Sequence, residues 1–161
     1  MEIERKFLIK KLPDNLDSYK KRIIEQAYLN TDPVVRIRRD NDEYILTYKS
    51  SGLMSREEYN LPLNKEAYEH LLSKADGNII SKTRYMIPEK DGLTIELDIF
   101  HRDFEGIILA EVEFPDETSA NAYIPCDWFA KDVTFEKTFH NSRMSTMSIS
   151  EIRSLKNDIA I

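Results

Sequence analysis

Glu2, Glu4 and Lys6 occupy every second position in the opening run Glu2-Ile3-Glu4-Arg5-Lys6-Phe7. In a β-strand that spacing sends all three side chains to one face and Ile3, Arg5 and Phe7 to the other. Two carboxylates beside an ammonium are poorly suited to a core face and well suited to holding a metal ion together with a phosphate. The alternation returns four times, as basic pairs at Arg36/Arg38 and Lys82/Arg84 and acidic pairs at Glu96/Asp98 and Glu111/Glu113. The interleaved positions are mostly apolar: Val35 and Ile37; Ile95, Leu97 and Ile99; Ala110, Val112 and Phe114. One charged pair is the ordinary solvated face of a half-buried strand. Five pairs, sorted by sign strand by strand, point to a shared charged interior.

The elements that must carry these pairs read as strands near 2–10, 24–29, 34–39, 43–50, 56–62, 82–88, 93–101 and 107–114. Short turn-rich pieces such as Asp40-Asn41-Asp42 and Glu89-Lys90-Asp91-Gly92 join several of them, which implies successive hairpins in an antiparallel meander. Helical spacing predicts a helix over 14–23 (Leu16, Tyr19, Ile23) and another over 64–75, capped by Asn64 with Gly77 just past its end. A short helix is expected around 118–123, and Ser148-x-x-Glu151 forms a capping box for a helix over about 148–157. The fold class is therefore α+β: an eight-stranded antiparallel β-barrel with flanking helices, in one domain spanning 1–161. If the apolar faces lie outward under the helices, the charged faces line the inside. Such an interior needs a ligand, metal or water to satisfy it.

A net charge of −6 and a pI near 5.2 argue against nonspecific binding to nucleic acid or an anionic membrane, yet allow a local cationic site for a small anion. The single Cys126 excludes an internal disulfide, and His70, His101 and His140 lack zinc-like spacing, so each is read as a surface or packing residue. There is no long apolar stretch and no signal-peptide pattern, which sets a cytoplasmic location as the expectation. The oligomeric state is left open, a homodimer included.

The charged pairs, with Lys49 and Glu58 between them, stand in the order found in the CYTH superfamily, the triphosphate tunnel metalloenzymes. The chain resembles its short bacterial inorganic triphosphatases over about residues 1–140, and Glu2-x-Glu4-x-Lys6 matches the family signature. The resemblance implies metal-dependent hydrolysis of inorganic tripolyphosphate, with Mg²⁺ or Mn²⁺ as cofactor and a small-molecule triphosphate as partner. By the same resemblance Lys6, Arg36, Arg38, Lys49, Lys82 and Arg84 bind phosphate. Glu2, Glu4 and Glu113 lead the metal ligands, Glu111 and Asp98 follow, and Glu2, Glu4, Lys6 and Glu113 form the catalytic set. Forked guanidinium donors match phosphate oxygens, and divalent cations of this kind favour oxygen ligands.

Tyr28, Glu58 and Glu96 are supporting candidates. Asn60 stands where relatives often carry a second glutamate, which leaves that position without an assigned role. Lys137 is not assigned as a ligand, and Trp128-Phe129 is read as packing. On the same fold, cyclisation of ATP and hydrolysis of thiamine triphosphate are alternative activities. A non-catalytic polyphosphate- or nucleotide-binding module is the alternative of a different class.

Overall fold

The computed structural model describes residues 1–159. Its strands are β1 (Glu2–Ile9), β2 (Lys20–Thr31), β3 (Val34–Asp40), β4 (Glu43–Lys49), β5 (Ser55–Arg56), β6 (Glu58–Leu63), β7 (Asp76–Pro88), β8 (Thr94–Phe100), β9 (Ile108–Glu113) and β10 (Phe129–Asp132). The helices are α1 (Lys65–Leu72), α2 (Glu117–Ala122), α3 (Asn141–Met144) and α4 (Ile149–Ile159). Every strand pairing is antiparallel, in the order β10-β1-β9-β8-β7-β2-β3-β4-β6. Only Glu57 separates β5 from β6. β6 lies against β4, while β5 turns back to β1 through Glu2↔Arg56 and Ile3↔Ser55. Segment 55–63 is thus one bent eighth stave that nearly closes the ring, as the eight-stranded expectation required. β10 flanks β1 outside it.

Alternation places apolar side chains on the outer face, where helices cover them. Phe7, Leu97, Ala110, Val112, Phe114 and Tyr123 form one buried cluster beneath α2. Ala27 and Ile37 pack with Tyr68 of α1. The inward face itself changes character along the barrel. At one end its positions are apolar, including Tyr28, Val34, Ile80, Phe100 and Leu109, and they pack with Phe139, Met144, Met147, Ile152 and Leu155 from the C-terminal segment. That cluster packs one end of the barrel, and the charged positions occupy the remainder.

Local chemistry accounts for the helix boundaries. Asn64 Oδ1 accepts from the Ala67 amide at 2.7 Å, and Ser148 and Glu151 exchange side-chain to backbone bonds at 3.2 and 3.1 Å at the start of α4.

The helix expected over 14–23 is not formed. Residues 16–18 make a single 3₁₀ turn, and the chain is extended from Lys20, pairing Lys20↔Met86 through Ile24↔Lys82. Leu16 and Tyr19 pack on the core, whereas Ile23 points to solvent, so the apparent stripe is not one buried face. Gly77 does not end a helix. α1 stops at Leu72, and Gly77 lies within β7 at φ +77°, where a Cβ would collide with the Ser145 carbonyl oxygen. β7 consequently starts six residues earlier than expected, and neither β10 nor α3 was anticipated.

Candidate active site in the barrel

Directly paired residues on neighbouring strands share a face, so the register brings the charged alternations together. Glu4 lies opposite Glu113 and Lys6 opposite Glu111, while Glu111 also faces Glu96. Arg84 faces Asp98 on one side and Arg22 on the other, Tyr28 faces Arg36, and Lys49 faces Glu58. They surround a cavity of about 290 Å³, lined by Glu2, Glu4, Lys6, Tyr28, Arg36, Arg38, Lys49, Glu58, Lys82, Arg84, Glu96, Glu111 and Glu113, with others named below. Every sequence-predicted site residue except Asp98 reaches this lining.

On the basic side, Arg36 and Arg38 are buried with no carboxylate partner among the described residues. Arg36 donates to Thr47 Oγ1 at 3.2 Å, and its buried Nε has no acceptor. Arg38 Nε donates to Gln26 Oε1 at 2.8 Å. Burial, reinforced by Arg36 and Arg84, pushes the Arg38 guanidinium down to about 9. Lys82 is likewise pushed down to about 7, by burial first and then Arg84 and Arg38, although Asp98 opposes the shift. Buried cations in this state favour an anion among them.

Asp98 is buried outside the cavity lining. Its carboxylate accepts from Arg84 Nε and NH2 at 2.7 and 2.8 Å and lies 2.7 Å from Lys82 Nζ. Lys82 also donates to Asn141 Oδ1 at 2.8 Å, and Arg84 to Glu96 at 3.1 Å. Against the upward push of burial, Arg84 and Lys82 hold Asp98 below the usual carboxylate range. Its oxygens hold two cavity-lining cations in place.

The acidic side has the opposite deficit. Neither Glu4 nor Glu113 has an ion-pair partner among the described residues. Burial, then Glu111 and Glu2, pushes Glu4 up to about 8, and burial with Glu2, Glu96 and Glu58 raises Glu113. Glu2 is raised by burial despite Lys49, whose Nζ lies 2.8 Å from Glu2 and 3.3 Å from Glu58. Glu111 differs: Lys6 at 3.3 Å and Arg84 at 4.0 Å outweigh burial and hold it well below the ordinary value.

Among the described residues, no three His, Cys, Asp or Glu side chains converge into a ready-made metal shell. A Mg²⁺-like ion needs none, since it takes one or two carboxylates and completes its sphere with phosphate oxygens and water. The all-oxygen set around Glu4 and Glu113, crowded and lacking a cation, fits such an ion.

Sequence reasoning missed several contributors. Arg22 lines the cavity and is held by the Asp40 carboxylate, with Nε 3.0 Å from Oδ1. Gln26, Thr47 and Arg56 are isolated positions without a repeating signal. Asn60 also lines the cavity, accepting from Thr47 Oγ1 at 2.6 Å and donating to Glu58 at 3.1 Å. His140, read as surface or packing, stands in the wall. Burial, then Lys6 and Arg56, pushes it down to about 4, so its imidazole is neutral near pH 7. Trp128 and Phe129 do pack, edge to face at 4.6 Å.

The CYTH domain pattern matches residues 1–123 of this chain. An inorganic triphosphatase of Nitrosomonas europaea is 38% identical over 148 residues, covering 89% of this chain and 96% of the relative. One from Acetivibrio thermocellus is 35% identical over 149 residues, covering 89% and 92%. A crystal structure of an inorganic triphosphatase superposes with a TM-score of 0.69 at 34% identity, covering 92% of this chain and 96% of its own.

Proposed function

The chain belongs to the CYTH domain family, and on that premise we propose that it hydrolyses inorganic tripolyphosphate to pyrophosphate and orthophosphate inside the barrel. The observation that carries this reading is the unmatched charge within one cavity. Arg36 and Arg38 lack an anion among the described residues, and Glu4 and Glu113 lack a cation. A phosphate chain with a divalent ion supplies both.

Arg36, Arg38, Lys6 and Lys49 grip phosphate oxygens from several staves, which fixes the chain for in-line attack. Lys82 and Arg84 join them, held in position by Asp98. Asp98 is therefore a positioning residue; Glu4 and Glu113 would hold the cation, Mg²⁺ or Mn²⁺, with Glu2 and Glu111, ion-paired to Lys49 and Lys6, beside them. When bound, such an ion polarises the phosphoryl group and acidifies water. Tyr28, Glu58 and Glu96 support the lining. We assign the whole chain to this one domain, acting in the cytoplasm on a small molecule rather than on nucleic acid or membrane. Among the described residues, no helix is long and apolar enough to cross a membrane.

The test is orthophosphate release from tripolyphosphate, ATP and thiamine triphosphate in parallel, with Mg²⁺ or Mn²⁺ and an EDTA control. Fast, metal-dependent release from tripolyphosphate alone supports the proposal. Preference for an organic triphosphate refutes the assigned substrate. Binding without release from any of them refutes catalysis and leaves a binding module.

A further inference from the structure

Asn141 stands in the wall of the barrel cavity, only 9% exposed, although it comes from the C-terminal segment and not from a stave. It is the first residue of α3, and its carbonyl accepts from the Ser145 amide at 2.9 Å, which fixes its backbone. Its side-chain Oδ1 accepts twice, from Lys82 Nζ at 2.8 Å and from Gln26 Nε2 at 3.0 Å. Gln26 is fully buried and uses both of its polar atoms. Its Nε2 also donates to the Tyr28 hydroxyl at 3.1 Å, and its Oε1 accepts from Arg38 Nε at 2.8 Å. Asn141 thus touches Lys82 directly and Arg38 through a second amide.

These bonds decide which way each amide points. The Arg38 donor fixes Gln26, and the Lys82 and Gln26 donors fix Asn141. An inverted Asn141 would aim its N–H groups at two neighbours that cannot accept. Its Nδ2 protons are therefore left over, and among the described residues Nδ2 donates to no group. The buried side-chain polar atom without a partner there is Arg36 Nε, so Asn141 Nδ2 reaches open space. The space that Asn141 lines is the cavity with the basic wall. Asp98 holds Lys82 by cancelling its charge, whereas the Asn141 amide holds it without doing so and keeps a donor for an anion.

We propose that Asn141 is a substrate-binding residue, its Nδ2 donating to a phosphate oxygen while its Oδ1 holds Lys82 and, through Gln26, Arg38 against the same phosphate chain. This rests on the reading of the barrel as a triphosphate site and deepens it, because the C-terminal segment then supplies a neutral contact among the cations.

The test is titration of tripolyphosphate in EDTA, where affinity is read without turnover. Calorimetry compares wild type, Asn141→Asp and Asn141→Ala, and nuclear magnetic resonance follows the Asn141 side-chain amide in isotope-labelled wild type. Asp keeps the acceptor for Lys82 and Gln26 but has no N–H, so its metal-free melting temperature should stay within about 4 °C of wild type. Its affinity for tripolyphosphate should fall at least about tenfold, the scale of a hydrogen bond to a charged group. Ala removes the donor without adding a charge and should also bind at least about tenfold more weakly. At saturation the wild-type Nδ2 protons should move downfield, as protons donated to an anion do. Nδ2 protons that stay in place while tripolyphosphate saturates the protein overturn the proposal, and so does an Asn141→Ala variant that binds as wild type does. No binding by wild type overturns the triphosphate reading of the barrel together with the inference. Binding without orthophosphate release on adding metal refutes hydrolysis alone, and the amide shift still decides the Asn141 contact.

Discussion

Replacing Glu4 with Gln should make the metal-free protein more stable at alkaline pH while removing its metal-dependent turnover. Glu4 faces Glu113 across β1 and β9, and burial with Glu111 and Glu2 raises it from 4.5 to about 8. An unfolded Glu releases its proton near the lower value, so the folded state binds more protons throughout the interval. Stability from this group is therefore fully present below about pH 4.5 and is lost as pH rises through about 8. At about 1.36 kcal/mol per pKa unit, the loss between pH 5 and pH 8 amounts to about 3 kcal/mol. Gln has no proton to release and should abolish that slope. Urea denaturation in EDTA at intervals across this range, with the slope m checked for constancy, gives the comparison directly. Wild type and variant should diverge steadily, with the variant ahead at pH 8. Parallel profiles would refute the assignment of Glu4 as a carboxylate destabilised by its surroundings. So would a variant that is less stable than wild type at pH 8. Orthophosphate release with Mg²⁺ should fall at least about a hundredfold, on the scale set by removing one strong electrostatic contact to the reacting group.

Asp98→Asn should destabilise the fold by about 3–5 kcal/mol, because it leaves buried Lys82 without a carboxylate among the described residues and takes from Arg84 its closest one; a guanidinium unfolding midpoint close to wild type would contradict its role under Arg84 and Lys82. Arg36→Lys should weaken tripolyphosphate binding by about tenfold through loss of the forked donor, with a metal-free stability cost of no more than about 1 kcal/mol, since its one side-chain hydrogen bond is to Thr47 Oγ1 and its Nε has no acceptor to lose; calorimetric titration and a thermal melt check the two halves. Gly77→Ala should cost about 2–3 kcal/mol, combining a left-handed backbone with the collision at Ser145, and an unchanged melting temperature would show that the 144–147 segment yields.

The charged interior was legible because a strand's period of two is written directly into sequence. Glu2/Glu4/Lys6 and the four later pairs needed only that period to be placed on common faces, and their sorted signs declared a site. Depth was not legible. Glu96 and Asp98 share a parity, yet Glu96 reaches the cavity while Asp98 lies beneath it against Arg84 and Lys82. Arg22 was hidden by a coincidence of spacing, since Leu16, Tyr19 and Ile23 fit a helical turn as well as they fit anything local, and pairing with β7 decided the matter. Arg56, His140 and Asn141 are single residues brought in by closure of the ring and by the C-terminal segment. Neither event has a local sequence signature.

The neighbour relation between β1 and β9 also governs how the molecule is made. Lys6 finds its partner Glu111 only after 105 further residues have been polymerised, from positions 6 and 111 of one register. At roughly 5–20 residues per second on the ribosome, that delay is about 5–20 s. Throughout it, the hairpins formed by β2, β3 and β4 can assemble from near neighbours, whereas the first stave waits with two carboxylates and an ammonium exposed on one face. Pairings so remote in sequence close late and slowly, because the loop entropy must be overcome before the contacts form. A hydrated, charged face is a safe companion for that wait, since it resists adhesion to other nascent chains. Glu2, Glu4 and Lys6 thus also keep one face of the earliest strand hydrated until β9 is synthesised.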